Sequence, residues 1–131
     1  MPSLLLVADL PWVVDAVHAA LDGAGHHLEV TADPEGAAES SLEQGVEVVL
    51  VDLQVGAMGG MAVVRALRAA AHAAGVTAPA TVILLDRDAD AFLAQRAGAD
   101  AWIRKPFGAF ALRGIVDRLT AAPTPAGPAT P

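Results

Sequence analysis

Short apolar runs alternate five times with segments of helical periodicity along this chain, and that alternation limits the folds open to it. The runs span residues 4–7, 28–31, 46–53, 81–85 and 101–103. A continuous apolar run of this length is typical of a strand that is buried on both faces. Because strands and helices alternate strictly, the sequence predicts an α/β fold with helices on both faces of a parallel sheet and right-handed crossovers.

The helical segments carry their own start and stop residues. They begin at Pro11, at Asp33-Pro34-Glu35, at Met61, at Asp88 and after Pro106, and the first four end near Gly23 and Gly25, near Gly45, at Ala74 and at Ala97. The first helix is expected to turn Val13, Val17, Ala20, Leu21 and Ala24 toward the core. Five strand–helix units favour the flavodoxin-like strand order 2-1-3-4-5 over a six-stranded dinucleotide-binding fold.

Composition narrows the class of protein. The 131 residues fit one domain, which we place at 1–120, followed by a Pro/Ala/Thr-rich flexible tail at 121–131 with no output domain after it. The absence of cysteine excludes a disulfide scaffold, a thiolate metal site and a cysteine nucleophile. A net charge of −7 argues against nucleic-acid binding. Without a membrane-length apolar run or a signal peptide, we expect a soluble cytoplasmic domain.

Polar residues follow four of the predicted strands. They are Asp9, Asp52, Asp86 and Lys105, the last being the only lysine beside seven arginines. In the predicted order these strands are neighbours, so the four side chains can converge on one cleft. Simpler interpretations exist, because Asp9 and Asp86 could cap helices and Lys105 could be solvated. Asp52 has the weakest simple explanation, since an aspartate is a poor strand residue.

The motifs around these residues resemble one family. They are Ala8-Asp9-Leu10-Pro11, Val48-Val49-Leu50-Val51-Asp52, Met58-Gly59-Gly60, Gly98-Ala99-Asp100 and Lys105-Pro106-Phe107. In order and spacing the chain resembles the receiver domain of bacterial two-component response regulators over about residues 3–120. The resemblance implies a signalling module, not an enzyme.

The resemblance also assigns roles. Asp52 would be the phosphoacceptor, Lys105 the phosphate partner, and Asp9, Asp52 and the Gln54 carbonyl the Mg²⁺ ligands. It further implies a cis Lys105–Pro106 peptide, a sensor histidine kinase or another signalling protein as partner, and a homodimer or partner face on the fourth helix, fifth strand and fifth helix. The chemistry agrees, since a carboxylate can hold a phosphoryl group, hard oxygens suit Mg²⁺, and a lysine offsets phosphoryl charge.

Several positions depart from the family pattern. Ala8 replaces the first acidic residue, so we expect weak Mg²⁺ binding, and Val55-Gly56 replaces a Met-Pro turn. Asp86 stands at the position of the switch Ser/Thr, and a carboxylate can only accept hydrogen bonds. We expect the crowded acids to recruit a cation, to hold a proton, or to pair Asp86 directly with Lys105. Trp102 occupies the aromatic switch position, where it could serve the core or an interface.

The sequence therefore favours an atypical receiver that acts by protein–protein interaction, with weak or absent regulated phosphorylation at Asp52. A fully active phosphoacceptor is the alternative. A flavodoxin-like cofactor carrier fits worse, because the loop at 8–12 is acidic and has no glycine for a phosphate cradle.

Trp12 could cap the cleft or only pack beside it. The four histidines indicate no metal site, since His26 and His27 are adjacent and point to opposite faces.

Overall fold

A computed structural model describes residues 2–22 and 25–120. The strands are β1 (Ser3–Val7), β2 (His27–Thr31), β3 (Val48–Asp52), β4 (Ala80–Leu85) and β5 (Ala101–Arg104). The helices are α1 (Pro11–Leu21), α2 (Ala37–Gln44), α3 (Gly60–Ala74), α4 (Ala91–Ala97) and α5 (Ala109–Thr120), with a short 3-10 helix at Asp88–Asp90. The predictions for Gly23, Ala24 and the tail at 121–131 lie outside the described residues.

The five strands form one parallel sheet in the order β2-β1-β3-β4-β5, which confirms the predicted topology. Its register aligns the carboxyl ends of the inner strands, because Val7 pairs with Val51 and Asp52 pairs with Leu84. The side chains that follow these strands therefore emerge at one edge of the sheet.

Two apolar layers hold the helices against the sheet, because alternate strand residues point to opposite faces. One layer contains Leu4, Leu6, Val48, Leu50, Val82 and Leu84 with inward residues of α1 and α5. The other contains Leu5, Val7, Val49, Val51, Ile83 and Leu85 with inward residues of α2, α3 and α4. The inner strands are thus buried on both faces, as their continuous apolar sequence predicts.

Three predicted boundaries were wrong for local reasons. β3 begins at Val48 and not at residue 46, because the Val46 amide donates to the Ser41 carbonyl at the end of α2. α2 begins at Ala37 and not beside Asp33, whose carboxylate accepts the Glu35 amide in a preceding turn. The segment at 88–97 is divided, since its first turn is a 3-10 helix. Within the described ranges, no helix is long and apolar enough to cross a membrane.

Candidate functional site

The carboxyl edge of the sheet brings three of the four predicted polar residues into direct contact. Asp52 is the last residue of β3 and is fully buried. Lys105 follows β5, and its backbone amide donates to the Leu85 carbonyl at 2.7 Å. This bond fixes the start of the lysine side chain next to the end of β4, from where it reaches across to Asp52.

The Lys105 ammonium bridges two carboxylates. It contacts Asp52 Oδ1 and lies 3.1 Å from Asp86 Oδ1. The Lys105 side chain is 3% exposed and that of Asp86 is 34% exposed, so the second pair lies at the mouth of the cleft. Of the three arrangements expected for the crowded acids, a direct Asp86–Lys105 ion pair is therefore present. The solvated interpretation of Lys105 was wrong, because its side chain is buried. The capping interpretation of Asp86 was also wrong, because Arg87 occupies the N-cap position.

Two further ion pairs lie in the segment that follows Asp86. Asp88 Oδ2 pairs with the Arg104 guanidinium of β5 at 3.3 Å, and Asp90 pairs with Arg87 at 3.1 Å. The Asp86–Lys105 and Asp88–Arg104 pairs thus connect this segment to the end of β5 and the residue after it, whereas the Arg87–Asp90 pair lies within the segment. The Asp88–Arg104 pair could not be predicted from the sequence, because the two residues are sixteen positions apart.

Asp9 faces the loop that follows Asp52. Its Oδ2 accepts the Gly56 amide at 2.9 Å, while Leu10 occupies the N-cap position of α1. The capping interpretation of Asp9 was therefore wrong. Val55 donates its own amide to the Asp52 carbonyl and buries its side chain fully, so the Val55-Gly56 turn is held at both residues.

The two tryptophans have different surroundings. Trp12 is 52% exposed, and the Lys105 ammonium lies over its ring at 5.7 Å from the centroid. Trp102 packs, partly buried, against the layer that contains α3 and α4. Trp12 therefore borders the cleft, whereas Trp102 packs against the core from a partly buried position.

The donor set at this edge suits a hard divalent cation. Asp9 and Asp52 supply two carboxylates, and Asp52 Oδ2 is buried with no hydrogen-bond partner in the described part of the chain. Mg²⁺ in proteins commonly takes one or two carboxylates, and water fills its remaining positions. Position 8 adds no ligand because Ala8 is apolar, and among residues 2–22 and 25–120 no cluster of three or more acidic or histidine side chains forms a metal site. Gln54 is exposed in the adjoining turn.

Three further features lie beside the cleft or away from it. The Lys105–Pro106 peptide is cis, as predicted. His26, which the sequence left without a role, buries all but 4% of its side chain and lies 3.4 Å from Asp117 of α5. A surface cavity of about 440 Å³ lies at the opposite edge of the sheet, and the Asp100 carboxylate that lines it is already bonded to Thr81.

Comparisons with known proteins agree with this geometry. The family model of the response regulator receiver domain matches residues 4–117. The transcriptional regulatory protein KdpE of Mycobacterium tuberculosis is 32% identical over an alignment of 127 residues, and the match covers 93% of this chain and 54% of KdpE. The chain therefore spans about half the length of the curated relatives it matches.

Solved structures show the same fold. The receiver domain of sensor histidine kinase PA1611 of Pseudomonas aeruginosa, which has a magnesium ion in its active site cleft, is 25% identical with a TM-score of 0.77, covering 90% of this chain and 96% of that one. The chemotaxis protein CheY4 of Vibrio cholerae is 23% identical with a TM-score of 0.77, covering 91% and 98%. The match to the family model over most of the chain, together with the cleft of Asp9, Asp52 and Lys105, leads to one conclusion: this protein belongs to the response regulator receiver domain family.

Proposed function

We propose that this chain is an atypical receiver module that acts by protein–protein interaction, with weak or absent regulated phosphorylation at Asp52. One observation carries the proposal, namely that a single ammonium, that of Lys105, is shared by Asp52 and Asp86. A phosphoryl group on Asp52 would have to compete with Asp86 for this cation.

The chemical step itself is available to Asp52. In the proposed transfer a carboxylate oxygen of Asp52 forms a bond to phosphorus while the bond between phosphorus and the donor breaks, and the product is an acyl phosphate. The Lys105 ammonium would then face the phosphoryl oxygens and offset their charge. This placement supports Asp52, and no other residue, as the acceptor.

Asp86 opposes that step in two ways. An ionised carboxylate has no proton to donate, so it cannot hydrogen-bond a phosphoryl oxygen as a hydroxyl would. At roughly 5 Å and an effective dielectric near 20, it also raises the energy of each phosphoryl charge by about 3 kcal/mol before any cation screens it. That energy corresponds to about a hundredfold in an equilibrium constant.

Mg²⁺ would reduce this repulsion. Asp9, Asp52 and the Gln54 carbonyl are the groups that would hold it, and its bound charge would neutralise negative charge at the phosphoryl oxygens. Because Ala8 supplies no carboxylate, we expect the affinity to be low. The chain would then supply two carboxylates and one backbone carbonyl to the metal, and Lys105 would supply the second positive charge at the phosphoryl oxygens.

The proposed partner is a sensor histidine kinase or another signalling protein, and the proposed contact face comprises α4, β5 and α5. Three large apolar side chains are exposed on its helices: Phe92 at 63%, Leu93 at 49% and Phe110 at 86%. Such side chains favour a contact with another protein surface, including a second copy of this chain.

Intact-mass measurement after incubation with Mg²⁺ and acetyl phosphate tests the proposal. We expect the wild-type protein to gain one phosphoryl group in a small fraction of molecules, and Asp52→Asn to gain none. Near-complete labelling of the wild type would instead support the alternative, a fully active phosphoacceptor, which the presence of Asp9, Asp52 and Lys105 in one cleft favours. Labelling that survives in Asp52→Asn would contradict both.

A further inference from the structure

Hydrophobic burial does not explain why a tryptophan stands at position 12. It occupies the second position of α1, directly after Pro11, and is 52% exposed. In the described part of the chain it belongs to neither apolar layer, whereas Trp102 packs against one of them. A large aromatic side chain that is half exposed gains less from burial than one in the core. Its specific contact is with Lys105.

The Lys105 ammonium has three neighbours that come from three parts of the fold. Asp52 approaches from the end of β3, Asp86 from the end of β4 and Trp12 from the first turn of α1. An ammonium within about 6 Å of an indole face is attracted by the ring. This arrangement agrees with the 3% exposure of the side chain.

The strand order places Trp12 and Asp86 on different sides of Asp52. β1, which precedes α1, lies on the other side of β3 from β4, so Trp12 and Asp86 approach the ammonium from different sides. A lysine side chain is a flexible four-carbon stem, and its end is held only by what it contacts. We infer that Trp12 is a positioning residue that keeps the Lys105 ammonium beside Asp52 and shields it from water. The effect on phosphorylation rests on the proposed function, whereas the placement does not.

The single lysine makes this placement directly measurable. Selective ¹³C labelling of lysine gives one ε-methylene signal by nuclear magnetic resonance, and that signal belongs to Lys105. Protons over an indole face are shielded, so we expect an upfield signal in the wild-type protein. Trp12→Leu should return the signal toward its ordinary position, and Trp12→Phe should leave it in between. Trp102→Phe, the control at the other tryptophan, should leave it unchanged.

Reactivity gives a second measurement without phosphorylation. We expect acetylation of Lys105 by a small acylating reagent to become several-fold faster in Trp12→Leu, with Trp12→Phe slower than Trp12→Leu. Circular dichroism on each variant confirms that the fold is retained. An upfield signal that persists in Trp12→Leu, or one that disappears in Trp102→Phe, would overturn the placement even if Asp52 is phosphorylated as proposed.

The effect of Trp12 on phosphorylation of Asp52 is measured in the Asp86→Thr variant, where Lys105 no longer pairs with a second carboxylate. We expect Trp12→Leu to lower the rate of labelling by acetyl phosphate there, because the ammonium is less well placed beside Asp52. Equal phosphorylation rates with and without Trp12 would overturn its role in phosphorylation. The placement of Lys105 is still decided by the lysine signal of the unphosphorylated protein. A failure of the proposed function would show separately, as a phosphoryl mass gain that survives in the Asp52→Asn variant.

Discussion

Asp86 Oδ1 lies 3.1 Å from the Lys105 ammonium, so an acid at the end of β4 holds the cation that also contacts the buried Asp52. This pairing occupies the lysine before any phosphoryl group arrives. The Asp86–Lys105 pair also connects the segment after β4 to the residue after β5. The Asp88–Arg104 pair is a second connection between the same two segments. In the cleft, two carboxylates therefore share one ammonium, and Asp52 Oδ2 is left without a hydrogen-bond partner in the described part of the chain.

Removing the lysine should be costly to stability. In Lys105→Met the Asp52 carboxylate is left buried without a counter-charge, and we expect the free energy of unfolding to fall by about 3–5 kcal/mol. Urea denaturation of single and double variants measures it. The double variant Asp52→Asn with Lys105→Met should lose less than the sum of the two single losses, because no charge is then left unpaired.

The neighbouring Arg104→Met variant is the matched control. Its ion pair with Asp88 is exposed, so we expect a loss under about 1 kcal/mol that shrinks further in salt. Equal losses for the Lys105 and Arg104 variants would show that the buried charges are not coupled as described.

Restoring the missing acid should strengthen cation binding. We expect Ala8→Asp to tighten Mg²⁺ binding in a calorimetric titration, because it adds a carboxylate next to Asp9. Ala8 is 2% exposed, so the variant should also be less stable than wild type without Mg²⁺ and regain stability with it. Ala8→Asn, which changes the size similarly without the charge, is the control. Identical affinities for all three proteins would contradict the proposed metal ligands.

Two glycines in helices test the packing behind Asp52. A Cβ at Gly60 would lie 2.8 Å from the Asp52 carbonyl oxygen, whereas one at Gly114 in α5 would meet nothing within 4 Å. We expect Gly60→Ala to destabilise the protein by more than about 1 kcal/mol. Gly114→Ala should stabilise it by about 0.5–1 kcal/mol, since alanine favours the helix. Thermal unfolding of both variants measures the difference, and a Gly60→Ala as stable as wild type would mean that the turn after Asp52 yields easily.

Strand order could be predicted from the sequence because the apolar runs and helical segments alternate without exception. The convergence of Asp52, Asp86 and Lys105 followed from that order, since all three come after neighbouring strands. The partner of each side chain did not follow, because several pairings were compatible with the same spacing. Asp33 shows the limit for local signals, since its carboxylate can cap a turn as well as a helix. The burial of His26 depends on a contact with α5, far away in the sequence.

If Asp86 limits phosphorylation of Asp52, removal of its carboxylate should raise the phosphorylated fraction. The measurement is the phosphorylated fraction, by intact mass at fixed Mg²⁺ and acetyl phosphate, for wild type, Ala8→Asp, Asp86→Thr and the double variant. Asp88→Thr serves as control, because it removes an acid from the same segment without touching Lys105.

We expect a low phosphorylated fraction for wild type and for the Asp88→Thr control. The fraction should be about tenfold higher for Asp86→Thr, which is less than the roughly hundredfold effect of unscreened repulsion, and highest for the double variant. If the wild-type protein is phosphorylated as completely as the double variant, Asp86 does not limit phosphorylation of Asp52.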